Sequence, residues 1–138
     1  MKNSHTIRCS LKSLQGIREF VRDALASCRA DSRVAGELVL ALDEMCSNLI
    51  IHGHRCNPDH VIEISVDTDD PTRVVFEIAD ESQTFNINQF DIPELNDLIH
   101  EKRKGGLGIR LVRTIMDEIE YYDRDGKNIC RLVKIIPR

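Results

Sequence analysis

Lys104-Gly105-Gly106-Leu107-Gly108-Ile109-Arg110 runs without a break into Leu111-Val112-Arg113-Thr114-Ile115-Met116. Three of the chain's seven glycines fall within four residues here, against apolar positions at Leu107, Leu111 and Ile115 that have helical spacing. Glycine lets a backbone approach a ligand closely, with no side chain in front of its N–H groups. A helix that begins at such a point presents unpaired N–H groups and a positive dipole end, and both favour an anion, usually a phosphate. A flexible hinge ahead of a helix is the competing reading of the same residues. The spacing is neither the Walker pattern nor the GxGxxG dinucleotide pattern, so those two folds lose support.

Working outward, the rest of the chain restricts the function classes. Its 138 residues are expected to form one domain spanning 1–138, long enough for a real core. A net charge of −4 gives no electrostatic case for nucleic acid or an anionic membrane. Trp is absent and aromatics are few, against a base-stacking platform. No apolar run reaches the roughly 20 residues of a membrane span, and the first residues lack the apolar core of a signal peptide. The five cysteines are odd in number and include no CxxC pair, which reads as reduced thiols and a cytoplasmic location.

Hydropathy patterning predicts a short edge strand over 5–10, with Ile7 and Cys9 on one side. Ser10 or Ser13 can cap a helix whose stripe is Leu14, Ile17, Val21, Ala24/Leu25 and Cys28. Asp31 and Ser32 cap a second helix over about 33–52, closed by Gly53. Its centre, Leu38 to Leu42, is apolar on nearly every side and is expected to be buried. Alternation then gives strands over 61–67 and 73–79 joined at Asp69-Asp70-Pro71. Periodicity fades from Glu81 to Arg103, a length unusual for a loop without a function. A helix over about 107–117 and strands near 118–123 and 128–136 follow, with Asp125-Gly126 as the hairpin turn. The expected class is α+β, a two-layer sandwich with a mixed, mostly antiparallel sheet covered on one face by helices.

Three places on this scaffold carry chemistry. Glu44 and Asn48 lie four residues apart and share one face of the second helix, beside the apolar face of Leu38, Leu42, Met45 and Leu49. A carboxylate and an amide in an apolar helix need partners, and a hydrated Mg²⁺ would serve; two exposed polar residues are the plain alternative. Asp80 closes an otherwise apolar strand, where it can accept a hydrogen bond from an amine such as adenine N6 or simply start a turn. The glycines from Gly105 to Gly108 are the third. His52, His54, Cys56 and His60 have ligand types suited to Zn²⁺, yet they straddle a helix end and a loop without a second ligand pair.

Taken in order, these signals resemble the ATP-binding fold shared by gyrase, the histidine kinases and MutL, known as the GHKL superfamily. The closest branch is the anti-sigma-factor serine/threonine kinases. Ala41-Leu42-Asp43-Glu44-Met45-Cys46-Ser47-Asn48-Leu49-Ile50-Ile51-His52-Gly53 resembles that branch's first motif. Gly105-Gly106-Leu107-Gly108-Ile109-Arg110-Leu111-Val112, continuing through Met116-Asp117-Glu118-Ile119 and Gly126-Lys127-Asn128, resembles its last.

The resemblance implies roles. Asn48 would hold Mg²⁺ bridging the ATP phosphates, Glu44 would be the general base, and Asp80 would bind the adenine amino group. Lys104, Gly105, Gly106, Leu107 and Gly108 would close over the phosphates, and residues of about 84–104 would form a lid. The implied activity is phosphorylation of a STAS-type anti-anti-sigma factor, with a sigma factor or other target held and released by partner switching, and a homodimer as the working form. One motif departs. The family's middle motif usually reads Asp-x-Gly, whereas Asp80-Glu81-Ser82-Gln83-Thr84 contains no glycine, although Phe85 fits the branch. That departure favours the alternative, a non-catalytic sequestering module of the same fold.

Overall fold

The computed structural model describes residues 2–28, 30–53, 57–81 and 106–136, with backbone alone for 52, 53 and 106–109. Strand β1 (Lys2–Arg8) leads through a 3₁₀ turn (Leu11–Ser13) into α1 (Leu14–Leu25). Helix α2 (Ser32–Asn48) passes into a π-helical turn (Leu49–Gly53), then come β2 (Val61–Asp67) and β3 (Arg73–Asp80). Helix α3 (Gly106–Ile115), β4 (Glu118–Arg124) and β5 (Lys127–Ile135) complete the order.

The five strands form one sheet in the order β1-β2-β3-β5-β4. The expected, mostly antiparallel sheet is antiparallel at each of these pairings. The crossover through α3 carries the chain past the place beside β3, and β5, antiparallel to both neighbours, fills it. The strand at the chain's start begins at Lys2 rather than His5, because pairing of Lys2 with Asp67 extends the ladder through residues of poor strand propensity. At the β4–β5 turn Asp125 and Gly126 both have positive φ, 53° and 80°, the geometry that closes a two-residue hairpin.

Alternation sorts the sheet into two faces. Ile62, Ile64, Val66, Val74, Phe76, Ile78, Cys130 and Leu132 are buried on one face, beneath helices that contribute Ile17, Val21, Leu38, Leu42, Met45 and Val112. Burying each of the larger of these is worth about 1.5–3 kcal/mol. The opposite face is held by polar cross-strand contacts. Glu77 accepts from Tyr122 Oη at 3.1 Å and from Arg124 Nη2 at 2.9 Å, and Arg131 donates to Glu120 at 2.8 Å.

Helix α2 lies between α1 and α3. Ser10, not Ser13, uses its side chain as a cap, accepting from Lys12 N at 3.3 Å in the 3₁₀ turn. Asp31 caps α2, its Oδ1 accepting from Val34 N at 2.8 Å. The expectation that Leu38 to Leu42 is wholly buried is corrected at Leu40, which is 42% exposed. The sheet and two neighbouring helices cover most of the α2 circumference, and Leu40 occupies the remaining strip. The helix expected to reach His52 stops at Asn48, where the ladder widens into the π turn.

Candidate functional site

The site residues begin with the cap at Asp31, which sets the rotational phase of α2. From that start Leu38, Leu42, Met45 and Leu49 face the core, and Glu44 and Asn48 stand beside them. Asn48 is only 3% exposed, and its side-chain amide nitrogen has no hydrogen-bond partner among the described residues. An unsatisfied buried donor costs about 1–3 kcal/mol. The fold tolerates that cost one residue before a π turn, a distortion frequent at functional sites.

Glu44 is half-buried, and burial, with the like charge of Asp43 added, raises its carboxyl above the usual value. Asp43 itself is engaged on the other side, where Arg18 Nε of α1 donates to its Oδ1 at 2.9 Å.

Asp80 is the last residue of β3 and points to the same side as Val74, Phe76 and Ile78, into the helix layer. At 3% exposure it is, with Asn48, one of the two fully buried polar side chains among the described residues. A turn-starting aspartate faces solvent; this one does not. Burial, then the Asp80 charge, pushes the Cys130 thiol up to about 12. The same charge reaches Cys46 of α2 and Tyr121 of β4, after burial in both cases. Asp80 therefore sits where β3, β5, β4 and the second half of α2 approach one another.

Gly106, Leu107 and Gly108 form the first turn of α3, and α3 packs on α2. Their N–H groups are among the four at a helix start with no partner inside the helix. Lys104 and Gly105, the lid expected at 84–104, and Ser82, Thr84 and Phe85 lie outside the described residues. So do His54 and Cys56 of the His/Cys cluster.

Two features of this region escape a reading of the sequence. Asn128 is the register partner of Asp80 across β3 and β5, half-buried on the same face. The Arg18–Asp43 pair ties α1 to α2 one residue before Glu44. Each depends on which strands and helices become neighbours, and no local pattern announces that.

A helix-covered antiparallel sheet with a buried Asn on the central helix and a buried Asp at the end of the middle strand is the frame of a nucleotide-binding ATPase domain. The chain matches the family model of the histidine kinase-like ATPase domain over residues 7–134, and it belongs to that family. It is 31% identical over 101 residues, 72% of this chain and 70% of the relative, to the serine/threonine-protein kinase BtrW of Bordetella bronchiseptica. In fold it is similar to the RsbU and RsbW domains of a Mycobacterium tuberculosis protein, with a TM-score of 0.68 at 14% identity. All of this chain and 32% of that one are covered, so it spans about a third of that solved chain. The Acinetobacter baumannii histidine kinase AdeS gives a TM-score of 0.50 at 13% identity, over 99% of this chain and 68% of the other. The chain is thus a kinase-like GHKL ATPase domain related to anti-sigma-factor kinases. Among the described residues no helix is long and apolar enough to cross a membrane.

Proposed function

We propose that this domain binds ATP with Mg²⁺ and transfers the γ-phosphoryl group to a serine or threonine hydroxyl of a STAS-type anti-anti-sigma protein. It acts as the anti-sigma factor of a partner-switching circuit, in the cytoplasm and as a homodimer. The observation that carries the reading is the buried, unpartnered amide of Asn48, in the same fold layer as buried Asp80. An apolar core position does not retain an orphan amide without a ligand to satisfy it.

The residue chemistry fits a phosphoryl transfer that needs positioning and charge neutralisation more than covalent catalysis. Asp80 accepts from the exocyclic amine of adenine and sets the base in place. Asn48 is the oxygen- and nitrogen-bearing group next to the phosphates and would hold the metal. Magnesium, when bound, neutralises phosphate oxygens. The backbone at the start of α3, with Lys104 and Gly105 before it, cradles the phosphate chain. Glu44 takes the proton of the incoming hydroxyl as its oxygen bonds to the γ-phosphorus. The bond to the bridging oxygen breaks and ADP leaves.

Incubation with labelled ATP, Mg²⁺ and the STAS protein encoded nearby tests this. Label on a serine or threonine of that protein, abolished by Glu44→Ala, is the expected result. The missing glycine in Asp80-Glu81-Ser82-Gln83-Thr84 supports one competitor, a sequestering module without catalysis. Absence of nucleotide binding at millimolar ATP, with the sigma factor still held, would establish that module instead.

A further inference from the structure

The Arg18–Asp43 pair is not needed to hold α1 on α2. Ile17, Val21, Ala24 and Leu25 already bury an apolar stripe there, and an ion pair this open to water adds little to stability. Its location is what matters. Asp43 stands one residue before Glu44, 100° away around the helix, and takes the Arg18 guanidinium at 2.9 Å on the α1 side. Glu44 makes no ion pair among the described residues, although a cation lies one helix position away. We infer that Asp43 is a positioning residue for Glu44: it clamps Arg18 on the α1 side of α2 and so keeps the base free of a counter-ion.

This rests on the reading of Glu44 as the general base. A carboxylate paired with a guanidinium is a weak base and is turned away from the incoming hydroxyl. The groups in play are few. α1 brings Arg18, α2 carries Glu37 and Asp43, β3 brings Asp80, and α3 carries Arg110 and Arg113. Among the described residues the charge acting on Glu44 is that of Asp43, and it raises the carboxyl, as burial does.

Two substitutions have opposite electrostatic signs and the same structural one. Asp43→Asn removes a like charge and frees the guanidinium, so Glu44 titrates at lower pH. Arg18→Met leaves the Asp43 charge uncompensated, so Glu44 titrates at higher pH. Each shift should be roughly half a unit to one unit. Carboxyl ¹³C NMR of the full chain without nucleotide reads this directly, whether or not the protein is active. In phosphoryl transfer the acid limb of kcat should move with the NMR midpoint. For Asp43→Asn the plateau should fall about threefold with KM for ATP unchanged, as Brønsted behaviour predicts.

Midpoints that stay in place, or move the same way in both variants, overturn the inference. Loss of melting temperature with an unmoved midpoint shows an ordinary structural clasp and overturns it too. Glu44→Gln separates the two levels. Full transfer in that variant sinks the base reading itself, whereas lost transfer with static midpoints in the Asp43 and Arg18 variants sinks only the role given to Asp43.

Discussion

Asn48→Leu should make the protein more stable and unable to bind nucleotide. The two side chains have the same number of heavy atoms and both branch at Cγ, so leucine occupies nearly the same space with no donor to satisfy. In the wild type the amide nitrogen is buried and unpartnered, and the residue is 3% exposed. Removing that donor returns about 1–3 kcal/mol, and the tetrahedral Cγ of leucine offsets part of this with an overpacking cost of about 1 kcal/mol. The net gain is about 1–2 kcal/mol, or a rise in melting temperature of roughly 3–10 °C for a chain of this size. Saturating Mg-ATP should raise the wild-type melting point further, since ligand at 100 times its Kd adds about 2.7 kcal/mol. The variant should show no such increment. Differential scanning fluorimetry with and without Mg-ATP reads both effects on one instrument. A variant that melts lower than wild type without ligand would show that the amide is satisfied by the protein itself. The case for Asn48 as a ligand-facing group would then fail.

Two further outcomes follow from the packing and the charges. Glu77→Gln should cost about 1–2 kcal/mol at neutral pH by weakening the bonds from Arg124 and Tyr122. Burial raises the Glu77 carboxyl, but those two hydrogen bonds outweigh it and the native value lies below 4.5. Its stabilisation is therefore present above that value and lost as pH falls through the native one, so urea curves of wild type and variant should converge in acid. Cys9, Cys46 and Cys130 are buried, and burial pushes the thiols of Cys46 and Cys130 upward, the latter to about 12. At mildly alkaline pH a thiol reagent should modify no more than two of the five cysteines in the native protein and all five in denaturant. Rapid reaction of four would contradict the packing.

The local features were legible because their causes are local. The bounds of β2 could be read from the alternation of Ile62, Ile64 and Val66 against polar neighbours, and β3 extends the pattern by one residue to Asp80. Asp31 as a cap and Asp125-Gly126 as a turn follow from side-chain and backbone chemistry within a few residues. Leu40 misled, because an apolar side chain says nothing about whether a neighbour arrives to cover it. The π turn after Asn48 also carries no signature in Leu49-Ile50-Ile51, whose residue types suit an ordinary helix.

The residue types of a nucleotide site, Glu44, Asn48, Asp80 and the glycines at 105–108, stand in the chain for anyone to read, as does their order. What the chain alone withholds is proximity. Asp80 could have been a solvent-facing turn; the burial of its strand end under the helices made it an interior carboxylate. Asn128 gained its place opposite Asp80 only through the register of β3 with β5, and Arg18 met Asp43 only because α1 lies along α2. Periodicity, caps and turns arise from interactions a few residues long, whereas register and helix packing come from burying surfaces contributed by residues up to fifty positions apart in the sequence.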